Sequence, residues 1–546
     1  MTAVAAAPAG RRGSRDLAGT GALLRLALRR DRLMIPLWVL LLGLTVAGLS
    51  GTLEALYDTA AERAELGRSM NANASMRALY GPVFGDSIGG LVAWRMAGFG
   101  AVLAAVMSLL IVIRHTREEE ETGRQELLSA AMVGRRAPIS AALLTAFLAN
   151  AALALVIAAG LAKSGQPVAG SLALGLAIGG CGMFFAGVAT IAAQLTESAR
   201  LAKGLTGAVV GLAFVLRAAG DAATDDGSSP LTWISPVGWC QHVRAYAGER
   251  WWVLLLFAAG AAVAGGVGYA LTARRDMGMS FLPARPGPAR APASLNGAFG
   301  LAWRLQRTTL LGWAAGFAVA GGVFGGIADG ASDMVGDNEQ TRRILERMGG
   351  TQALTDTFLA TMVGMLGMVA AVYAAGAVLR LRGEETGERA EPVLAGAVGR
   401  LRWAASHLVI AFLGSVVVMA VGGVGLAVGY GSAVGDLDGR RFGAVVGAAL
   451  AQIPAIWVLA GLATLLFGSL PKLATAAWGL VGASLALGWI GPALDLPQWA
   501  MDLSPFSHLP KLPGGEVTAT PFLWLLLIAA LSTAVGLVGL RRRDMG

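Results

Sequence analysis

From Leu91 to Ile113 the chain reads LVAWRMAGFGAVLAAVMSLLIVI, with Arg95 as the one charge in it. A run of this kind matches the ~20 residues that an α-helix needs to cross the hydrocarbon of a bilayer. Runs like it recur along all 546 residues, and only 14% of the chain is charged, against about 25% in a soluble protein. The fold class this dictates is an all-α polytopic membrane protein. Hydropathy places twelve candidate spans near 33–50, 91–113, 139–161, 169–194, 204–220 and 251–272, then 308–328, 357–379, 404–430, 442–467, 474–493 and 521–540.

Glycine reaches 77 residues. In lipid such a share points to helices that pack closely through small residues, and Gly321/Gly325, Gly322/Gly326 and Gly425/Gly429 have the spacing for it. Two cysteines, Cys181 and Cys240, exclude a disulfide framework and a cysteine-rich metal site. The net charge of +9 does not require nucleic acid. With the N-terminus inside, the inner loops hold most of the Lys and Arg, including Arg11, Arg12, Arg29, Arg30, Arg274, Arg275 and Arg541 to Arg543, and this asymmetry sets orientation. Both termini are expected in the cytoplasm. The polar, Arg-rich start does not read as a cleaved signal.

The two halves repeat one another. ETG at Glu121 recurs at Glu385, VGR at Val133 recurs at Val398, and AFL at Ala146 recurs at Ala411. SPVGW at Ser235 faces SPFSH at Ser504, and RRDMG recurs identically at Arg274 and Arg542. Arg29, Arg32 and Trp38 match Arg304, Arg307 and Trp313. The order is the same in both halves, so the chain reads as a tandem duplication of a six-span unit. Six is even, so the halves face the same way about an axis along the membrane normal, with a central cavity expected at their seam. The expected parts are an N-terminal segment 1–32 with an amphipathic elbow helix, a first half 33–280, a cytoplasmic linker 281–297 and a second half 298–546.

Between the second and third span of each half lies an acidic stretch, Glu118 to Arg136 and Gly383 to Arg402. Thr122 and Gln125 have the spacing of a capping box, which predicts a short helix carrying Glu126, Leu127 and Leu128. Its counterpart carries Glu391, Pro392, Val393 and Leu394, with Thr386 available as a cap. A solvated turn is the plain alternative. Asp and Glu do little for topology, however, and the interleaved apolar residues, repeated once per half, point to paired docking helices for a two-fold partner.

ETGRQELLSAAMVGR, from Glu121 to Arg135, resembles the coupling-helix region of ABC-2-type transporter permeases. The tandem twelve-span form is similar to their polyketide-antibiotic exporters of the tetronasin-resistance type, and the resemblance covers essentially the whole chain. It implies that two copies of a separate nucleotide-binding subunit, holding ATP and Mg, dock on Glu120, Glu121, Gly123, Arg124, Glu126, Leu127 and Arg135 in the first copy. In the second they dock on Glu384, Glu385, Gly387, Glu391 and Arg400, where Pro392 replaces Leu127 and makes the two sites unequal. It also implies elbow segments at Leu17 to Arg32 and Ala298 to Arg307, re-entrant helices at SPVGW and SPFSH, and a bacterial cell-membrane location.

A fuel site on this chain is not expected. A P-loop needs G-x-x-x-x-G-K-[ST], and none of the four lysines, Lys163, Lys203, Lys472 and Lys511, stands in that frame. No cofactor or metal is expected on the chain either. The alternative is an ion-coupled multidrug secondary transporter, but that needs Asp, Glu or His within the spans, and there are almost none: His407 opens the ninth span near the cytoplasm, and Asp and Glu cluster in loops. An intramembrane enzyme is the third class. GLSG with Ser50 has a rhomboid-like form without a partner His, and HExxH is absent.

For cargo, the resemblance implies bulky hydrophobic or amphiphilic compounds passing the second and fifth helices of each half. Those helices carry Trp94, Met96, Phe99, Met107, Phe214 and Arg217, and Phe358, Met362, Met365 and Trp478. Met and flat aromatics suit a permissive cavity, though each also suits ordinary packing. Arg217 differs, because a charge at that depth costs roughly 2.5–3.5 kcal/mol. It calls for a cavity, an acidic cargo, or Asp221 one turn on.

Overall fold

The computed structural model describes residues 16–130, 133–276, 278–282, 289–295, 297–328, 350–435, 439–489 and 497–544. Those residues form helices and turns without a strand, and eleven helices are long and apolar enough to cross a membrane. The protein is an all-α polytopic membrane protein. The candidate span at 474–493 is the exception. It forms a helix over Ala477–Trp489 only, and residues 490–496 lie outside the description. The chain divides into two compact units, Met1–Pro286 and Gly287–Gly546.

In the first unit α1 (Thr20–Arg30) precedes α2 (Met34–Leu56), followed by α3 (Ala60–Ala72), α4 (Ala74–Tyr80) and α5 (Ile88–Arg114). Two short helices follow, α6 (Arg117–Glu121) and α7 (Arg124–Ala130). Then come α8 (Ala137–Lys163), α9 (Val168–Leu195), α10 (Ala199–Ala223), α11 (Pro230–Ile234), α12 (Pro236–His242) and α13 (Val253–Arg274). The most deeply packed helices are α5 and α9. On α8, Ala142, Ala146, Ala149 and Leu153 are buried while Leu144, Leu148 and Leu155 are exposed. Large side chains can face outward because lipid tails are as apolar as leucine, whereas small ones let helices approach. The Asn150 amide donates to Ser108 Oγ at 2.8 Å and ties α8 to α5 inside this apolar interior.

The SPVGW segment forms α12, capped by Ser235, whose Oγ accepts from the N–H groups of Val237 and Gly238 and donates to the Ala213 carbonyl at 2.6 Å. Its counterpart after Ser504 is a single 3-10 turn, Pro505–His508.

In the second unit α14 (Ala298–Ile327) leads to α15 (Gly350–Thr386), α16 (Glu391–Leu394), α17 (Arg400–Val434), α18 (Gly439–Leu450) and α19 (Ile453–Ser469). The last three are α20 (Ala477–Trp489), α21 (Gln498–Met501) and α22 (Ala519–Arg542). The expected elbow at Ala298 to Arg307 is not a separate piece, because α14 runs through it. In the first unit the chain turns after Arg30, where Asp31 is buried and ion-paired with Arg114 at 2.6 Å, and Pro36 sits in the first turn of α2. Proline favours a helix start. The second half has Gln306 and Leu311 at those positions, so nothing interrupts the helix.

The glycine pairs of the sequence meet along α14 and α17. A Cβ on Gly321 would run into the Gly422 carbonyl, one on Gly325 into the Leu426 carbonyl, and one on Gly429 into the Gly322 carbonyl. A Cβ on Gly316, by contrast, would meet nothing within 4 Å. We therefore expect Gly325→Leu to destabilise the second unit by more than the ~1–3 kcal/mol typical of overpacking, because backbone and not a side chain must yield. Gly316→Leu is expected to leave thermal stability in detergent close to wild type. Equal melting temperatures for the two variants would refute this reading of the crossing.

Candidate functional site

The four glutamates of the first acidic stretch sit on α6 and reach in four directions. Glu118 pairs with Lys203 on α10 at 3.0 Å. Glu119 pairs with Arg30 at the end of α1. Glu120 accepts from Arg117 and from Arg275, both at 2.5 Å, in a buried pocket. Glu121 accepts the N–H of Ala199 at 3.0 Å. That N–H is the first of α10, so the carboxylate satisfies an orphan donor and lies at the positive end of the helix dipole.

The repeated motifs meet at this point. Arg135 of VGR donates to the carbonyl of Arg275 in RRDMG at 2.6 Å. The second unit does the same, with Arg400 donating to the Arg543 carbonyl at 2.7 Å. Arg543 in turn holds Glu385 with two hydrogen bonds of 2.8 Å, the bidentate geometry that makes guanidinium–carboxylate pairs strong. Glu384 is bracketed by Arg389 at 3.0 Å and Arg380 at 3.5 Å. In each unit the last span therefore ends against the acidic turn that follows the second span. The RRDMG arginines were the residues that sequence reasoning missed, and their signal was an identical pentapeptide closing each half.

The expected docking residues divide accordingly. Glu120 and Glu385 are turned into this clamp, and Glu384 is held by Arg380 and Arg389. Gly123 takes a left-handed conformation at φ +69° and lets the chain reverse after α6; in the second copy the left-handed residue is Glu388, one beyond Gly387. The Thr122 hydroxyl donates back to the Glu118 carbonyl at 2.9 Å, so it closes the acidic helix rather than capping the next, and Thr386 bonds to the Arg382 carbonyl in the same way. The helices expected from the motif form as α7 and α16. Arg124, Glu126 and Leu127 on α7 are exposed, Leu127 by 77%, as are Glu391 and Pro392 on α16.

The path residues of the first unit gather into an aromatic chain. Tyr80 lies 5.1 Å from Trp94 and 5.7 Å from Phe99, and Phe99 lies 6.1 Å from Phe214. Met96 packs against the same core, while Met107 is wholly buried further along α5. Arg217 lies over the Phe214 ring at 4.6 Å. It is wholly buried, 3.5 Å from Asp221, and donates to the Leu79 carbonyl at 3.0 Å. Asp221 also accepts from Thr232 at 2.8 Å and Gln241 at 2.7 Å. Of the readings the sequence left open for Arg217, the pair with Asp221 is the one this geometry contains.

In the second unit, Met365 and Val369 of α15 face Thr308, Trp313, Phe317 and Phe324 of α14 across a cavity of about 580 Å³. Phe358 and Met362 continue that face of α15 and pack with Phe324 in a neighbouring cluster. Trp478 lies elsewhere, against Gly376. The cavity thus uses the first span of the half, which the sequence reading did not assign to the path.

Two comparisons bear on this arrangement. A family model described as "Multidrug efflux system permease Rv1217c, C-terminal domain" matches residues 295–541. The chain is 46% identical over 544 residues to the multidrug efflux system permease protein Rv1217c of Mycobacterium tuberculosis (strain ATCC 25618 / H37Rv), covering 99% of this chain and 98% of that protein.

Glu120→Lys places a third cation between Arg117 and Arg275. Breaking a buried pair in this way costs ~3–5 kcal/mol, so membrane abundance should collapse, whereas Glu126→Lys should leave it unchanged. Quantitative immunoblots of membranes would check both. Arg217→Met should lower resistance to neutral and acidic compounds alike, in step with protein level. A loss confined to acidic compounds at normal abundance would instead assign Arg217 to cargo.

Proposed function

We propose, from the premise that the chain belongs to the multidrug efflux permease family, that it is the membrane-spanning subunit of an ATP-driven exporter of the ABC-2 type. Its cargo would be hydrophobic and amphiphilic compounds of the polyketide-antibiotic kind, as in the tetronasin-resistance exporters. Two copies of a nucleotide-binding subunit, carrying ATP and Mg, would dock on α7 and α16 at the cytoplasmic face of a bacterial cell membrane. Both termini would lie on that face.

The observation that carries this reading is a short helix held beside a clamped helix end, once in each unit. A lone exposed leucine means little. Leu127, however, is presented between Arg124 and Glu126 on a turn anchored by Glu118 to Glu121, and α16 follows an equally anchored turn. A surface with an apolar knob, a polar rim and a rigid base suits a protein partner. An ion-coupled mechanism finds less support. Among the described residues, the wholly buried carboxylates are Asp31 and Asp221, and each is engaged by partners on the chain.

The test is co-purification with a candidate nucleotide-binding subunit. Leu127→Asp with Glu126→Lys should leave the permease folded yet release the subunit and abolish cargo-stimulated ATP hydrolysis. Val393→Asp on the shorter α16 should weaken binding less. Wild-type hydrolysis in the α7 double variant would rule out the docking role.

A further inference from the structure

We propose that the cavity between α14 and α15 is a cargo-recruitment site, and that it fits an amphiphile with one acidic headgroup. The word cargo rests on the exporter reading above; the binding itself does not.

The cavity arises from a difference between the two halves. With Trp38 matched to Trp313, the exposed face of α2 carries Leu33, Leu37 and Leu41 where α14 carries Thr308, Gly312 and Gly316. The three leucines are 78%, 65% and 64% exposed and cover their helix. On α14 a Cβ at Gly312 or Gly316 would meet nothing within 4 Å, so the missing side chains leave room rather than a tight crossing. The resulting ~580 Å³ falls within the roughly 300–1,000 Å³ of small-molecule sites. Its walls are Trp313, Phe317, Phe324 and Met365, flat rings and a pliable thioether that accept varied apolar shapes.

The mouth is polar. Thr308 lines it, and Arg304 stands one helical turn earlier on the same stripe, exposed and without an ion pair among the described residues. An exposed guanidinium one helical turn from an apolar lining favours a carboxylate or phosphate over a neutral group. A lipid belt would meet arginines of both units alike, since Arg29 and Arg32 occupy the matching positions on the first. The glycine-lined groove belongs to the second unit, and the first carries leucines at the matching positions. At its far end Phe324 joins the cluster of Phe358 and Met362, so a molecule seated there lies against the face of α15 already assigned to the path.

The experiment uses the purified full-length chain and 9,10-dibromostearic acid, whose bromines quench a tryptophan they touch, with the methyl ester as the neutral control. The acid should quench saturably at about tenfold lower concentration than the ester. Trp313→Phe should remove the saturable component. Gly312→Leu with Gly316→Leu, which puts side chains where the lining has none, should abolish saturable quenching. Arg304→Gln should bring the acid to the affinity of the ester, and because it alters no packing it carries the test should the leucine pair fail to fold. Undiminished quenching in a folded leucine pair, or an unchanged acid affinity in Arg304→Gln, would overturn the site.

Whole-cell efflux of the acid supplies the second readout. Loss of acid efflux, with neutral efflux retained, in Arg304→Gln supports recruitment. Displacement of the probe by dioleoylphosphatidylglycerol, with acid efflux untouched in both variants, would make the cavity a lipid seat and overturn the cargo assignment. Failure of the ATP-driven reading would look different. Efflux of both compounds would then not depend on a nucleotide-binding subunit, while quenching stayed the same.

Discussion

In each half a guanidinium from the end of the last span closes on a carboxylate at the end of the second. Arg275 reaches Glu120, and Arg543 reaches Glu385. Lipid offers no hydrophobic force to drive helices together, so polar contacts of this kind help set the register of the helix ends. The pairs are nearly dry, so they are screened little by salt, and losing one partner leaves a buried charge. The VGR arginines add a second bond to the same helix end. The position of α7 and α16, and with it any surface they offer, follows from that anchoring.

The same economy governs the interior. Helices approach where glycine removes the Cβ, as along α14 and α17, and a few buried polar contacts fix the rest. Asp31 pairs with Arg114 on α5 in the first unit, and Gln306, at the matching position of the second, bonds instead to His407 on α17 at 3.0 Å. The first is an ion pair at a turn and the second a hydrogen bond made from a continuous helix to its neighbour. Duplicated sequence has kept the location and changed the chemistry, as it has at the cavity lined by Gly312 and Gly316.

Fold class was legible in the sequence because bilayer thickness alone sets the length of an apolar run, and α5, α8 and α9 fall where hydropathy puts them. Breaks were harder to see. The tenth span is interrupted between Leu450 and Ile453, with Pro454 in the first turn of α19, and the second elbow merges into its span for want of a proline. The acidic stretches were noticed for their density, yet their partners lie 155 and 158 residues away, a separation that local pattern cannot bridge. Only the identical RRDMG endings hinted at it. Thr122 had the spacing of a cap, but its hydroxyl turned backward, since the chain reverses at Gly123 before the next helix begins.

The most direct measurement is transport into proteoliposomes by the purified chain, alone and with a nucleotide-binding subunit, under ATP or under an imposed proton or sodium gradient. Movement of an amphiphilic drug is expected only with the subunit and ATP together, and neither gradient should drive it. Drug movement by the chain alone under a proton or sodium gradient would contradict an ATP-driven permease held ready by its two clamped turns.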